Sequence, residues 1–292
     1  MWQNIGRLLE SNLGFSAKIS EKHHLSSGDI HHTWKIQYGE IPVFVKSNLR
    51  EFLPTFKNEA EQLEMLAKSQ TIRIPRVLGI GNSKDTSFLL LEFLPVQPFT
   101  PHSAYCFGQQ LAKLHQWEEQ PRYGFDFDTH IDTTPQANGW EKRWNYFYSE
   151  KRIGIQLQLA SEKGMVFGDG DIEEIIQIIN HRLADHHPQP SLLHGNLWPK
   201  NCAAIGQSEG TMFDPACYWG DRECDIAMLP LCSSVPANIF DGYQSIWPLS
   251  EKFLSRQPIY QLYYFLNRCH LFGEEKDYLA ARKIIDDLLG TH

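Results

Sequence analysis

Two short polar motifs, each following an apolar strand, constrain this chain more than any other feature. The first is Leu192-Leu193-His194-Gly195-Asn196-Leu197-Trp198-Pro199-Lys200-Asn201; the second, Met212-Phe213-Asp214-Pro215, places its aspartate 13 residues after Asn201. Leu192-Leu193 and Met212-Phe213 read as buried strand ends, and the polar residues after each as loops. The stretch between Asn201 and Asp214 has the length of a hairpin, so the fold must bring an amide and a carboxylate together from two loops. Either motif alone is an easy chance match. Both, in this order and at this separation, are a strong signal.

Composition sets the frame around them. The chain has 292 residues, enough for one large domain or two modest ones with a sizeable core. Aromatic residues at 12% are too abundant for a disordered chain. A net charge of −8 argues against a general nucleic-acid or anionic-membrane binder, while leaving room for a local basic phosphate pocket. The longest apolar run, 88–94, is broken by Glu92 and falls short of the roughly 20 residues that span a bilayer. The N-terminal stretch 1–10 lacks the cationic, apolar and small-residue order of a signal peptide and reads as a short amphipathic helix. The expectation is a cytoplasmic protein with no membrane and no nucleic-acid partner, as a monomer or homodimer. Six cysteines (Cys106, Cys202, Cys217, Cys224, Cys232 and Cys269) include no Cys-x-x-Cys pair and read as buried reduced thiols. The histidine pairs at 23–24, 31–32 and 186–187 read as surface or loop residues.

Strands dominate the first hundred residues. Segments 34–38 and 41–46 flank Gly39-Glu40 as a hairpin, a helix follows over 55–69, and 76–79 and 87–93 form strands around a turn at 81–83. Gly79-x-Gly81 has no third glycine and leads into a strand, so it reads as a turn and not a dinucleotide fingerprint. After Pro95 the period becomes helical, over 103–117, 140–163, 171–185 and 257–272, with Asp171 and Glu174 in the form of a capping box. Segment 93–98 is the expected hinge. The fold class is therefore α+β: a small strand-rich lobe over 1–93 and a larger helical lobe over 94–292.

The two motifs resemble the catalytic core of the protein-kinase-like fold, which makes the expected architecture bilobal with a nucleotide between the lobes. In that fold a neutral oxygen from Asn201 and an anionic one from Asp214 converge on Mg²⁺ bound to nucleotide phosphates. Asn196, five residues before Asn201, faces the acceptor hydroxyl. Lys46 ends a strand where the fold places the lysine that contacts the α- and β-phosphates. Glu59 lies on one helix face with Leu63 and Leu66 and is the candidate ion-pair partner of Lys46. Ser26, Ser27 and Gly28 occupy the phosphate-covering loop and offer hydroxyl and backbone donors.

More narrowly, the chain resembles the fructosamine kinase (ketosamine 3-kinase) family, relatives of aminoglycoside and choline kinases. The resemblance rests on Phe44-Val45-Lys46, Glu59-Ala60-Glu61-Gln62-Leu63, Leu111-Ala112-Lys113-Leu114-His115, Thr134-Pro135-Gln136-Ala137-Asn138-Gly139-Trp140, His194-Gly195-Asn196-Leu197-Trp198 and the run from Phe213 to Asp225. It spans nearly the whole chain and is closest to bacterial members. It implies ATP- and Mg²⁺-dependent phosphorylation of the O3′ hydroxyl of a ketosamine or other glycated amine, whose unstable product frees the amine in deglycation repair. It further implies that Lys46 holds phosphates, that Glu59 orients it, that the backbone at Glu92, Phe93 and Leu94 contacts adenine, and that Asn201 and Asp214 bind Mg²⁺. His194 and Arg222 join the catalytic set. Trp219, Gln136, Asp221 and Glu223 are candidates for the substrate site; for Arg222, Glu223 and Asp225, substrate contact and structural ion pairing stay open.

One position departs from the family pattern. The family has aspartate where this chain has Asn196, and an amide cannot take the proton of the attacking hydroxyl at neutral pH. Loss of a general base typically costs about 10²–10⁴-fold in rate, although a loose transition state lets positioning and Mg²⁺ sustain transfer. Three readings are open: a slow kinase or nucleotide-binding relic, an engineered Asp→Asn trap, or compensation by another carboxylate, with Asp221 and Glu223 as candidates. The residues after Trp198, Pro199-Lys200, also depart from the family and could bring a positive charge near the γ-phosphate. A kinase for another hydroxylated amine, of the aminoglycoside or choline type, is the alternative enzyme.

Overall fold

In the computed structural model, which describes residues 1–27, 30–168, 171–231 and 236–290, alternation within one strand builds the first part of the molecule. Helix α1 (Trp2–Leu13) precedes strands β1 (Ile19–Ser27), β2 (His32–Tyr38) and β3 (Ile41–Leu49). Helix α2 (Leu53–Lys68) follows, and then β4 (Val77–Asn82) and β5 (Thr86–Glu92). The strands form an antiparallel sheet in the order β1-β2-β3-β5-β4. Successive side chains of β5 point to opposite faces. Phe88 and Leu90 pack with Ile5 and Leu9 of α1, while Leu89 and Leu91 pack with Phe56, Leu63 and Leu66 of α2. Both faces are covered, which is why 88–91 is a continuous apolar run and not an alternating one.

The rest of the chain is mostly helical. Strand β6 (Val96–Gln97) leads to helix α3 (Pro101–His115), and a short hairpin follows, β7 (Thr129–Ile131) and β8 (Thr134–Gln136). Helix α4 (Trp144–Tyr148) runs through a π-helical turn over Ser149–Gly154 into α5 (Ile155–Glu162). Then come α6 (Ile172–Arg182), β9 (Ser191–Leu193), β10 (Cys202–Ile205), β11 (Glu209–Met212) and β12 (Tyr218–Gly220). The chain closes with α7 (Glu223–Met228), α8 (Asn238–Ile246), α9 (Phe253–Phe272) and α10 (Glu275–Leu289). Strand β10 pairs with both β11 and β6, which fastens segment 93–98 to the loops carrying the two polar motifs. One apolar cluster runs from α2 and β5 through α3, α4, α7 and α9.

Several expectations are corrected. Gly79 and Gly81 lie inside β4 and not in a turn, because α1 packs directly over them: a Cβ at Gly79 would stand 2.9 Å from Leu8 Cδ2. The helix expected over 140–163 starts at Trp144, since Glu141 is held extended against Tyr123 by two 2.8 Å backbone bonds. Its middle widens into the π-turn, where Arg152 is fully buried and donates to the Ala137 carbonyl and to Asn138 Oδ1. Asp171 caps α6 by accepting from Glu174 N at 3.2 Å, one half of the expected box; the full box belongs to α3, between Thr100 and Ser103. Helices α8 and α10 were not anticipated; α10 buries only Asp277, Ala281 and Ile285, too thin a stripe to read from periodicity. The described cysteines are free thiols, four of them buried, and Cys232 lies outside the described residues.

Helices α3 and α8 cross at glycines. A Cβ at Gly242 would stand 1.9 Å from the Tyr105 carbonyl oxygen, and one at Gly108 would stand 2.0 Å from that of Ile239. Backbone cannot yield as a side chain can, so Gly242→Ala is expected to cost about 3 kcal/mol of stability, read as a lower urea midpoint with unchanged slope.

Candidate active site

Lys46 is where the two parts of the molecule meet. It shares the α2-facing side of β3 with Phe44, because Val43 and Val45 point toward α1. Its ammonium lies 2.8 Å from Glu59 Oε2 on α2 and 2.5 Å from Asp214 Oδ1 beyond β11. Burial by itself would lower the Lys46 pKa, but Asp214 and then Glu59 outweigh it and hold the group protonated well above its usual range. Burial would likewise raise the Asp214 carboxyl, and Lys46 reverses that and holds it down. Sequence reading joined Lys46 to Glu59; the third member comes only from the fold.

The polar motifs sit on a frame of backbone hydrogen bonds. Asp225, at the start of α7, accepts from His194 N at 2.7 Å and from Gly195 N at 2.9 Å. Gly195 has φ +76°, and a Cβ there would stand 1.9 Å from the Ala216 carbonyl, so only glycine fits the turn. His194 is fully buried; Asn196 N donates to its Nδ1 at 3.3 Å, and Nε2 donates to the Phe213 carbonyl at 3.1 Å. This pattern assigns the neutral Nε2–H tautomer, in line with burial lowering the pKa. His194 thus clamps one motif to the other. Asn201 is brought to Asp214 by the β10–β11 hairpin, with Phe213 N donating to the Asn201 carbonyl at 3.1 Å.

Asn196 is occupied by this frame. Its Nδ2 donates to the Asp214 carbonyl at 3.1 Å, and its own carbonyl accepts from Asn201 Nδ2 at 3.0 Å. Asn201 Oδ1 and the 40%-exposed Asp214 carboxylate form a neutral and an anionic hard-oxygen donor, a set that suits Mg²⁺.

Lys46, Glu59, Asn201 and Asp214 line one end of a cleft of about 740 Å³. Leu91, Glu92, Phe93, Leu94 and Val96 line the other end, and Phe44 and Leu25 lie on the sheet side. Gly28 and the side chains of Ser26 and Ser27 lie outside the described residues; the backbones of those serines pair with Thr33 and His32 at the end of β1. Lys200 lines the cleft with its ammonium 4.9 Å above the Trp198 ring.

Two cleft residues escaped the sequence reading. His31 lies in the loop before β2, as expected of a surface or loop residue, but it packs against Phe52 and Phe56 and bonds to Asn48, and burial followed by Lys46 lowers its pKa to about 3. Asp132, in the two-residue loop between β7 and β8, accepts from Asn267 Nδ2 at 3.0 Å. Burial, and after it Asp214, pushes the Asp132 carboxyl up to about 6. No motif marks Asp132; it precedes the Thr134 segment by two residues.

The remaining candidates are placed away from the cleft. Asp221 accepts from His186 and from the Tyr260 hydroxyl, at 2.6 and 2.5 Å, and these bonds outweigh the burial that would raise its pKa. Glu223 makes a two-pronged pair with Arg256 at 2.6 and 2.8 Å. His186, in the loop between α6 and β9, is therefore half-buried in an ion network. The guanidinium of Arg222 donates to the carbonyls of Trp247 and Pro248 and stacks on the Trp247 ring. Trp219 stacks on Trp117, while Gln136 bonds to Thr129, Tyr263 and the Ala216 carbonyl. All four polar groups are spent on internal hydrogen bonds, so Asp221 and Glu223 are not available to stand in for a carboxylate at Asn196.

The sheet over the helical part, with a lysine joining strand, helix and the Asp214 loop beside Asn201, makes this a phosphotransferase of the protein-kinase-like fold. Solved structures agree on the fold: aminoglycoside phosphotransferase APH(4)-Ia in ternary complex with AMP-PNP and hygromycin B has a TM-score of 0.67 at 14% identity, over 99% of this chain and 98% of that one. The chain belongs to the fructosamine kinase family, whose model matches residues 1–291. It is 51% identical over 291 residues to "Probable ketoamine kinase YniA" of Escherichia coli (strain K12), covering 100% of both chains. It is 46% identical to "Probable ketoamine kinase VP1481" of Vibrio parahaemolyticus, over 98% of this chain and 99% of the other. The crystal structure of the "Putative fructosamine-3-kinase" from Haemophilus somnus superposes with a TM-score of 0.93 at 42% identity, covering 99% and 98%. The chain is thus an ATP-dependent kinase of this family.

The position of Asp132 has a consequence for stability. A carboxyl raised from 3.8 to about 6 in the folded state stabilises the fold fully below the unfolded value, and that stability is lost as pH rises through 6. Asp132→Asn is therefore expected to match the unsubstituted chain near pH 4 and to exceed it by about 1–3 kcal/mol at pH 8, measured by urea unfolding at both pH values.

Proposed function

We propose that the protein transfers the γ-phosphoryl group of ATP to the O3′ hydroxyl of a ketosamine, a small glycated amine, in deglycation repair in the cytoplasm. The observation that carries this reading is the buried Lys46 held between Glu59 and Asp214 at one end of the cleft. Lys46 contacts the α- and β-phosphates, and Glu59 keeps it aimed at them. Adenine lies against the backbone at Glu92, Phe93 and Leu94, which line the far end. Asn201 Oδ1 and Asp214 would hold Mg²⁺, which neutralises phosphate charge as the γ-phosphoryl group leaves. Ser26, Ser27 and Gly28 complete the phosphate site in this reading. Ketoamine and fructosamine kinase relatives over the full chain support the acceptor class. Among the described residues, no helix is long and apolar enough to cross a membrane.

The test is ATP consumption with fructoselysine as acceptor, with glycated protein and an aminoglycoside in parallel. Fructoselysine-dependent ADP release is expected, and Lys46→Met is expected to lower turnover by about 10²–10³-fold, with circular dichroism and urea unfolding separating lost catalysis from the stability lost with the buried cation. Turnover on the aminoglycoside alone would transfer the assignment to another hydroxylated amine. Mg-ATP binding with no turnover on any acceptor would favour a nucleotide-binding relic.

A further inference from the structure

Resting on the kinase reading above, we infer that Asp132 is the catalytic carboxylate of this protein, taking the proton of the acceptor hydroxyl that Asn196 cannot take. Four observations converge on it. Asp132 lines the cleft at its Lys46–Asp214 end, and it lines, together with Asn196, a small adjoining cavity whose wall includes Asp214 and Pro215. Among the described residues it is therefore the carboxylate that shares the surroundings of Asn196 without being held in an ion pair, as Glu59 and Asp214 are by Lys46.

Its position is also built. Asn267 of α9 is fully buried, and its amide is oriented from behind: Gln156 Nε2 donates to Asn267 Oδ1 at 3.4 Å, and His270 pairs with Gln156 Oε1 at 2.8 Å. The amide nitrogen of Asn267 is thereby directed at Asp132 Oδ2, which fixes the carboxylate while Oδ1 takes no part in that bond. Such second-layer support is what a proton acceptor needs to hold productive geometry.

The residue choice is costly unless it serves chemistry. Asp132 has φ +56°, a left-handed conformation that glycine or asparagine adopts more readily. A half-buried carboxylate beside Asp214 is moreover repelled, where an amide would not be. An asparagine at 132 would relieve both burdens and keep the bond from Asn267. At 196 the reverse holds: the amide Nδ2 donates to the Asp214 carbonyl, where a carboxylate oxygen would face another acceptor. The chain thus carries its carboxylate at 132 and its amide at 196, each at the position the other residue would occupy if local stability alone decided.

The step balances without a further reactant. The acceptor O–H bond breaks as its proton passes to Asp132 Oδ1, and the oxygen forms a bond to the γ-phosphorus. The bond from that phosphorus to the β–γ bridging oxygen breaks, and ADP leaves with the electron pair. The proton on Asp132 then returns to solvent through the open cleft.

The experiment is steady-state kinetics with ATP and fructoselysine on the unsubstituted chain, Asp132→Asn, Asn196→Asp and the double variant, with Mg²⁺ titrations and AMP-PNP binding on each. Asp132→Asn is expected to lower kcat by about 10²–10⁴-fold with unchanged AMP-PNP affinity and Mg²⁺ requirement, and Asn196→Asp is expected to restore much of that loss in the double variant. A kcat within threefold of the unsubstituted chain would overturn the assignment while leaving the kinase reading intact. A raised Mg²⁺ requirement with kcat recovered at saturation would overturn it too, making Asp132 a cation ligand. An inactive unsubstituted chain beside an active Asn196→Asp would show that the carboxylate at 132 does not serve. If fructoselysine supports turnover in none of the four, the acceptor reading fails, and intrinsic Mg-ATP hydrolysis by the same proteins decides. There water takes the place of the hydroxyl, and equal rates for Asp132→Asn and the unsubstituted chain would overturn the proposal.

Discussion

A single buried cation ties this molecule together. Lys46 reaches from the sheet to α2 through Glu59 and to the second polar motif through Asp214. Desolvation pushes both carboxyls toward the neutral form and Lys46 opposes it, while the lysine in turn is desolvated and held charged by both. Because Lys46 and Asp214 are 168 residues apart in the chain, this contact exists only when the sheet is seated over the helical part. Folding and assembly of the site are therefore one event. The same contact keeps an ammonium at the end of the cleft where the phosphate charge would lie.

Around that contact the polar motifs are held by a frame of side-chain to backbone hydrogen bonds. Asp225 accepts two backbone N–H groups at the first motif, and His194 bonds across to the second. Farther out, Asp221, Glu223, His186, Arg256 and Tyr260 form a closed network. A buried network of this kind is stable only when every member is satisfied. That explains why the acidic run after Asp214 is spent on architecture, and why its carboxylates are poor candidates for proton transfer. Asn196 belongs to this frame as well, and the open carboxylate lies on a different loop, at Asp132.

Much of the fold was legible because it rests on local pattern. The hairpin on Gly39-Glu40, the continuous apolar run of β5 and the inward face of Glu59, Leu63 and Leu66 all follow from the two- and 3.6-residue periods. What was misread depends on neighbours distant in sequence. Gly79 and Gly81 look like turn residues until α1 is laid across them. His31 is a loop residue, and its burial comes only from Phe52 and Phe56 closing on it. Asp221, Glu223 and Arg222 follow Asp214 closely in the chain, but their hydrogen-bond partners come from α9 and from the residue after α8, and Gln136 on the β7–β8 hairpin is met by Tyr263 of α9.

The amino-acid sequence alone determined the fold class and set out the lysine, the glutamate, the Asn201–Asp214 pair and the amide at position 196. These are short-range signals: each is a residue type at a set offset from a strand or helix end, and local geometry dictates where it points. Only the tertiary structure decided which carboxylates are free. An aspartate reads alike in sequence whether it is clamped by His186 and Tyr260, as Asp221 is, or held at one oxygen on the cleft wall, as Asp132 is. The difference lies in desolvation and in hydrogen bonds contributed from 35 to 135 residues away, which no local pattern encodes.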